Sequence, residues 1–160
     1  MSRKAKIRPL SESDLDAIVE IDRKILGKRR WEFWERKVKF ADIYPRPSLV
    51  AEMDGKVVGF IMGYVSGWEF GVPDTVGWID TIGVDPEYQR KGIAKALFTE
   101  LVRSLKTTGR EEKPEAPGGG AILGVDTLYT VVNWTDLDLL GFFQKMGFKR
   151  GDMIHLELRP

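Results

Sequence analysis

The stretch Ile79-Asp80-Thr81-Ile82-Gly83-Val84-Asp85-Pro86-Glu87-Tyr88-Gln89-Arg90-Lys91-Gly92 limits the folds open to this chain more than any other segment. Its β-branched start reads as a strand that stops at Asp85-Pro86. From Gly92 onward, Ile93, Ala94, Leu97, Phe98, Leu101, Val102 and Leu105 recur at the spacing of one helix face. A strand therefore leads through a basic, glycine-containing loop into an amphipathic helix. The first backbone N–H groups of a helix lack partners within it, and its dipole adds about half a positive charge there. Phosphate binds such ends readily. Gly92 removes the Cβ that would keep a ligand away, and Arg90, Lys91 and Lys95 add charge. The plainer alternative is that Gly92 eases a turn and the basic residues form a solvated face.

The surrounding pattern alternates strands and helices. Ile7 to Leu10 reads as a first strand, and Ser11 with Asp14 as a capping box for a helix carrying Leu15, Ile18, Val19, Ile25 and Leu26. Gly27 breaks that helix. A second, aromatic-rich helix spans about 31–41 and closes at Tyr44-Pro45-Arg46-Pro47. Residues 48–53, the Asp54-Gly55 turn and 56–68 form a predicted hairpin. The next strand covers about 75–84. Residues 107–120, rich in Gly, Pro and charge, are expected to be a flexible loop. A strand over 127–132, a helix over 136–146 ended by Gly147, and a last strand over 153–158 complete the order β-α-α-β-β-β-α-β-α-β. That order implies a sheet with helices on its faces. The 160 residues are expected to form a single domain.

Composition removes several chemistries. The chain has no cysteine, which excludes disulfides, thiol nucleophiles and cysteine metal sites. His155 is the sole histidine, and no metal site is expected. Lys plus Arg number 25 against 24 Asp plus Glu, a net charge of +1, so no nucleic-acid footprint is expected. The longest charge-free run, 57–68, falls well short of the about 20 residues of a membrane span. No apolar stretch follows the basic start Met1-Ser2-Arg3-Lys4, so no secretory leader is expected. These features point to a cytoplasmic protein without a membrane partner.

The phosphate-binding loop is neither a P-loop nor a dinucleotide fingerprint, since neither glycine pattern occurs. Gln89-Arg90-Lys91-Gly92-Ile93-Ala94, preceded by Ile82-Gly83-Val84-Asp85-Pro86-Glu87-Tyr88, resembles the acetyl-coenzyme A signature of the GCN5-related N-acetyltransferases (GNAT). Gly141-Phe142-Phe143-Gln144-Lys145-Met146-Gly147-Phe148 is similar to the end of that family's last helix, and Ile7-Arg8-Pro9-Leu10-Ser11-Glu12-Ser13-Asp14 to its opening. The resemblance implies an α/β (α+β) fold: a mixed, mainly antiparallel sheet with helices on both faces, splayed between strands 4 and 5. It also implies acetyl-CoA as co-substrate and direct acetyl transfer to a primary amine on a protein N-terminus, a lysine or a small molecule. Dimers are common in the family, so a homodimer is compatible with it.

The same resemblance assigns roles by position. Backbone groups of Ile82, Gly83 and Val84 would pair with the pantetheine arm. Amides of Arg90, Lys91, Gly92, Ile93, Ala94 and Lys95 would hold the pyrophosphate. The family's last helix carries an Asn that contacts the cofactor and, seven residues on, a Tyr near the thioester. Asp136 and Phe143 stand at these positions. Asp136 also reads as a helix N-cap, and Asn133 offers an amide instead. Phe143 cannot protonate a thiolate; water or Tyr129 would substitute.

An ammonium must lose a proton before it attacks a thioester. Asp80 is the first candidate base. Strand alternation places Trp78, Asp80, Ile82 and Val84 on one face, where apolar neighbours would desolvate the carboxylate. The alternative is that Asp80 is structural, bonded to a neighbouring turn or paired with an Arg. A base used by some family members on the fifth strand corresponds to Val131 and cannot act. Glu69 and Glu157 rank after Asp80, and His155 is given a surface or structural role. Trp31, Phe33, Trp34, Tyr44, Trp68 and Phe70 would wall the acceptor site. The rival readings are a CoA-binding regulatory module without turnover, motivated by Phe143, and a nucleic-acid module using Arg90, Lys91 and Lys95.

Overall fold

The computed structural model describes residues 4–43, 47–65, 76–107 and 125–160. They fall into two units, Met1–Thr130 and Val131–Pro160. The first holds one five-stranded sheet in sequential order, with β1 (Lys6–Pro9), β2 (Ser48–Met53), β3 (Lys56–Val65) and β4 (Val76–Val84) antiparallel. β5 (Thr127–Thr130) runs parallel to β4. α1 (Leu15–Leu26) and α2 (Trp31–Ile43) lie between β1 and β2 in the chain, and α3 (Ile93–Thr107) between β4 and β5.

Each face of the sheet buries its own helices. On one, Ile18, Val19 and Ile21 of α1 and Trp34 and Val38 of α2 pack on Val50, Phe60 and Met62. On the other, Leu97, Leu101 and Leu105 of α3 are fully buried and settle over glycines: Leu97 near Gly59, Leu101 near Gly63 and Leu105 near Gly77. Burying three leucines stabilises the unit by roughly 1.5–3 kcal/mol each.

Carboxylates tie the helices down. Ser11 N–H donates to Asp14 Oδ2 (2.8 Å), the backbone half of the expected capping box. Arg8 grips the same carboxylate with both terminal guanidinium nitrogens at 2.9 and 2.8 Å. Burial pushes the Asp14 carboxyl up, but the bonds from Arg8 and Ser11 outweigh it and hold the group below its ordinary value. Asp22 behaves likewise: burial raises it, and Arg30 at 2.9 and 2.7 Å brings it net below the ordinary value. That pair fixes the α1–α2 connection.

In the second unit α4 (Leu137–Lys145) is capped by Asp136, whose Oδ1 accepts from Leu139 N–H at 3.0 Å. Phe143 is buried and packs edge-on against Phe142 and Phe148. The expected last strand over 153–158 does not form: these residues join no ladder, and Met153, Ile154, Leu156 and Leu158 are exposed. Alternation marks a segment able to be a strand, but a strand exists only where another supplies hydrogen bonds. β5 likewise stops at Thr130, short of the expected 132. The flexible loop expected over 107–120 lies outside the described residues except Thr107, which closes α3. No described helix is long and apolar enough to cross a membrane.

Candidate functional site

β4 outruns its partner. The β4–β5 ladder pairs Val76 with Thr127 and ends at Ile79 with Thr130, whereas β4 continues to Val84 bonded to β3. Among the described residues, Asp80 to Val84 thus have no strand on the β5 side. That opening is the expected splay, and Ile82, Gly83 and Val84 lie along it. An extended chain with its own amide groups would fit such a one-sided strand edge.

A β-bulge sits where the opening begins. Met62 pairs with Thr81 and Gly63 with Ile79, leaving Asp80 as the additional residue. A bulge shifts the alternation of the strand beyond it. Gly77 accordingly faces α3, where Leu105 lies, but Gly83 faces Phe60 and Ile25 of the α1 side. The expectation that Trp78, Asp80, Ile82 and Val84 share a face is therefore corrected. Trp78 lies opposite Tyr64 and stacks on it at 6.4 Å, whereas Ile82 and Val84 pair with Ile61 and Gly59 on the α3 side.

Asp80 itself lies at the bulge, on the side of α2. Its side chain is 31% exposed, and Oδ2 bonds Lys37 Nζ of α2. The desolvated setting expected for Asp80 is not found; a cation provided by a neighbouring helix stands there instead. Lys37 Nζ is also 5.2 Å from the centre of the Phe33 ring, one helical turn away, and Arg30 stacks on the same ring at 4.4 Å. Lys37 escaped the sequence reading, although Phe33 and Lys37 at i and i+4 put an aromatic ring and an ammonium on one helix face. Of the expected aromatic wall, Trp34 is a core residue and Phe33 is exposed; Tyr44, Trp68 and Phe70 lie outside the described residues, as does Glu69. Tyr129 packs on Trp78 at 5.2 Å, one residue before the ladder ends.

At the far end of β4 the chain builds an anion cradle. Asp85 Oδ1 accepts from Glu87 N–H at 3.0 Å and starts a 3-10 turn over Pro86–Tyr88. Gln89 Nε2 donates to Val84 O at 3.1 Å, folding the loop back on the strand. Arg90 and Gly92 both adopt left-handed backbone, with φ of 61° and 79°. Alternation of that kind turns successive amides toward a common point. The first α-helical bond of α3 runs from Ala96 N–H to Gly92 O, so the amides of Ile93, Ala94 and Lys95 stand outside the helix ladder. A Cβ built on Gly92 meets nothing within 4 Å, which leaves open space over the cradle. Lys91 lies over the Tyr88 ring and donates to Glu87 O, while Arg90 and Lys95 are exposed. Lys24 of α1 braces the turn from below, donating to Asp85 and Glu87 at 2.7 and 2.9 Å; these bonds hold its ammonium well above the ordinary lysine range. The cradle fits a phosphate group, and the strand edge fits an arm leading away from it.

Asp136 and Phe143 belong to the second unit, and Asp136 is the N-cap that one of its two readings anticipated. His155 is exposed, in keeping with a surface role, and Val131 is 75% exposed. Among the described residues no cluster of three acids or histidines could hold a metal.

Comparison with known proteins points the same way as the geometry. A profile of the acetyltransferase (GNAT) family matches residues 15–113, more than half of the chain. An N-alpha-acetyltransferase of Sulfurisphaera tokodaii is 27% identical over 151 residues, covering 90% of this chain and 80% of the relative. An N-acetyltransferase from Staphylococcus aureus Mu50 superposes with a TM-score of 0.70 at 23% identity, covering 92% of this chain and 84% of the other. The aminoglycoside N-acetyltransferase AAC(6')-Iy, solved in complex with CoA, gives a TM-score of 0.71 at 16% identity, with 99% and 98% covered. At these identities the solved structures speak for the fold.

Proposed function

The chain belongs to the acetyltransferase (GNAT) family, whose members are acetyl-CoA-dependent enzymes, and from that premise we propose that it transfers the acetyl group of acetyl-CoA directly to a primary amine, a protein N-terminus first. The observation that carries this reading is the open edge of β4, with an amide cradle at one end and a carboxylate at the other. The N-terminal acceptor is supported by the relative named an N-alpha-acetyltransferase.

In this scheme the amides of Arg90 to Lys95 hold the donor's pyrophosphate, and the edge at Ile82 to Val84 pairs with its arm. The acetyl thioester then lies near the bulge, about two residues or roughly 7 Å from Ile82 along the strand. Asp80 takes a proton from the acceptor ammonium through its carboxylate oxygen. The neutral nitrogen attacks the carbonyl carbon and the C–N bond forms; the extra proton on that nitrogen passes to water, and the C–S bond breaks. Tyr129, on the last rung of β5 but one, gives its hydroxyl proton to the departing thiolate. Holding amine and thioester together provides most of the acceleration. The reading needs no metal, and a cytoplasmic enzyme is proposed.

The rival, a CoA-binding module without turnover, is favoured by one observation: Phe143, at the position of the family's tyrosine, is buried among phenyl rings. Acetyl-CoA consumption with a panel of peptides bearing free N-termini separates the two. Turnover abolished by Asp80→Ala supports the enzyme. Binding without turnover on any peptide supports the module. Binding itself is read by thermal unfolding with acetyl-CoA against NAD and ATP; ligand at 100 times Kd stabilises by ~2.7 kcal/mol, a shift of several degrees.

A further inference from the structure

Lys37 occupies the place where an acceptor's ammonium would have to bind. Its Nζ is held by the Asp80 carboxylate on one side and stands 5.2 Å from the Phe33 ring on another. A carboxylate and an aromatic face are the two groups that recognise an alkylammonium. Both partners come from other positions in the chain, Phe33 one turn back on α2 and Asp80 from the bulge of β4. Asp80 is also the first residue of β4 beyond the β5 ladder, where the strand edge opens. The Lys37 side chain is only 25% exposed, so the ammonium is held and not waving in solvent.

We propose that Lys37 is a resident substrate: in the absence of an external amine, the enzyme acetylates its own Lys37 Nζ from acetyl-CoA. The proposal rests on the acetyltransferase reading above. Asp80 accepts one proton from the Lys37 ammonium, and the neutral nitrogen attacks the acetyl carbon. The C–N bond forms as the C–S bond breaks. The nitrogen's second departing proton leaves with the thiolate as free CoA thiol, and one N–H stays on the new amide. Acetylation removes the charge of Lys37, breaks the pair with Asp80, and leaves that carboxylate open to another ammonium. The modification thereby turns the acceptor site from occupied to receptive.

The test incubates the full chain with acetyl-CoA at neutral pH and maps acetylated lysines by peptide mass spectrometry, with unfolding temperature measured in parallel. Lys39 is the internal control: it lies on the same helix, 60% exposed, and pairs with Glu35 instead of Asp80. Lys37 is expected to be acetylated at least about tenfold faster than Lys39, at a rate independent of protein concentration. Asp80→Asn is expected to remove that advantage while acetyl-CoA still raises the unfolding temperature. Lys37→Arg, which keeps the ion pair, is expected to lose the mass gain. Equal rates at Lys37 and Lys39, with the unfolding temperature still raised by acetyl-CoA, overturn this proposal and leave the acetyltransferase reading standing. No rise in unfolding temperature overturns both.

Discussion

Lys24 Nζ lies 2.7 Å from Asp85 Oδ2, joining the last turn of α1 to the residue that follows β4 and starts the loop before α3. Asp85 is nearly buried, and its other oxygen holds Glu87 N–H. The ammonium thus fixes a carboxylate that in turn shapes the loop. Lys24→Met is expected to lower the unfolding temperature by a few degrees. It should also weaken acetyl-CoA binding, read by calorimetry, with kcat at saturating donor little changed. A variant binding as tightly as the parent would show that the loop keeps its shape without α1.

The two left-handed residues of that loop make a contrasting pair. Gly92→Ala must hold a methyl group at φ 79°, a strain of about 1 kcal/mol, and the methyl projects into the open space over the cradle. Acetyl-CoA affinity is expected to fall about tenfold or more. Arg90→Gly keeps φ 61° without strain and loses only a charge. Its affinity deficit is expected to shrink as salt rises, because exposed charges are screened.

The helices and the turning loop before α3 were legible because a period of 3.6 and a run such as Gln89-Arg90-Lys91-Gly92 are local signals. The bulge was not. Nothing in Trp78-Ile79-Asp80-Thr81-Ile82 announces an additional residue, because it arises from the register against β3. Alternation therefore put Ile82 and Val84 on the face of Asp80, where they do not lie, and Lys37, its partner, is 43 residues away in sequence. The last strand failed for a similar reason: alternation over 153–158 describes a strand's faces and says nothing of the partner it needs. Asp136 carried two readings, a cofactor contact and a helix N-cap, and Leu139 N–H identifies the cap.

Close approach at the bulge makes Gly63 a sensitive position. A Cβ there would come within 2.9 Å of Trp78 O and 3.3 Å of Leu101, and a backbone carbonyl cannot swing away as a side-chain end can. Gly63→Ala is expected to destabilise the protein by about 1–3 kcal/mol in urea unfolding. Because Gly63 pairs with Ile79, beside Asp80, the variant should also lose turnover at temperatures where it remains folded. Retained stability would mean that α3 slides without cost.

Acid should unfold the protein through two carboxylates. Asp14 and Asp22 titrate below their ordinary value when folded, since the bonds from Arg8 and Arg30 outweigh burial. A depressed carboxylate stabilises the fold above its unfolded pKa of about 3.9, and that contribution is lost as pH falls through the lower folded value. Unfolding free energy is thus expected to drop below about pH 4, and Asp14→Asn to flatten that part of the profile while costing about 2 kcal/mol at neutral pH. An unchanged acid profile in Asp14→Asn would remove Asp14 from this account.

Tyr129 offers the sharpest separation of chemistry from binding. It pairs with Trp78 in the β4–β5 ladder, the two rings tilted 49° with centres 5.2 Å apart, on the same face as Asp80 and one residue before the strands part. A thiol with a pKa near ~8.5 leaves without full protonation, so an acid in this place contributes only part of the rate. Tyr129→Phe keeps the ring and its packing and removes the hydroxyl alone. It is expected to lower kcat about tenfold to a hundredfold, with KM for acetyl-CoA and unfolding temperature close to the parent's. The deficit should diminish with thioester donors whose thiols are more acidic, since a better leaving group needs less help. A uniform loss across such donors would make Tyr129 a packing residue and assign the proton to water.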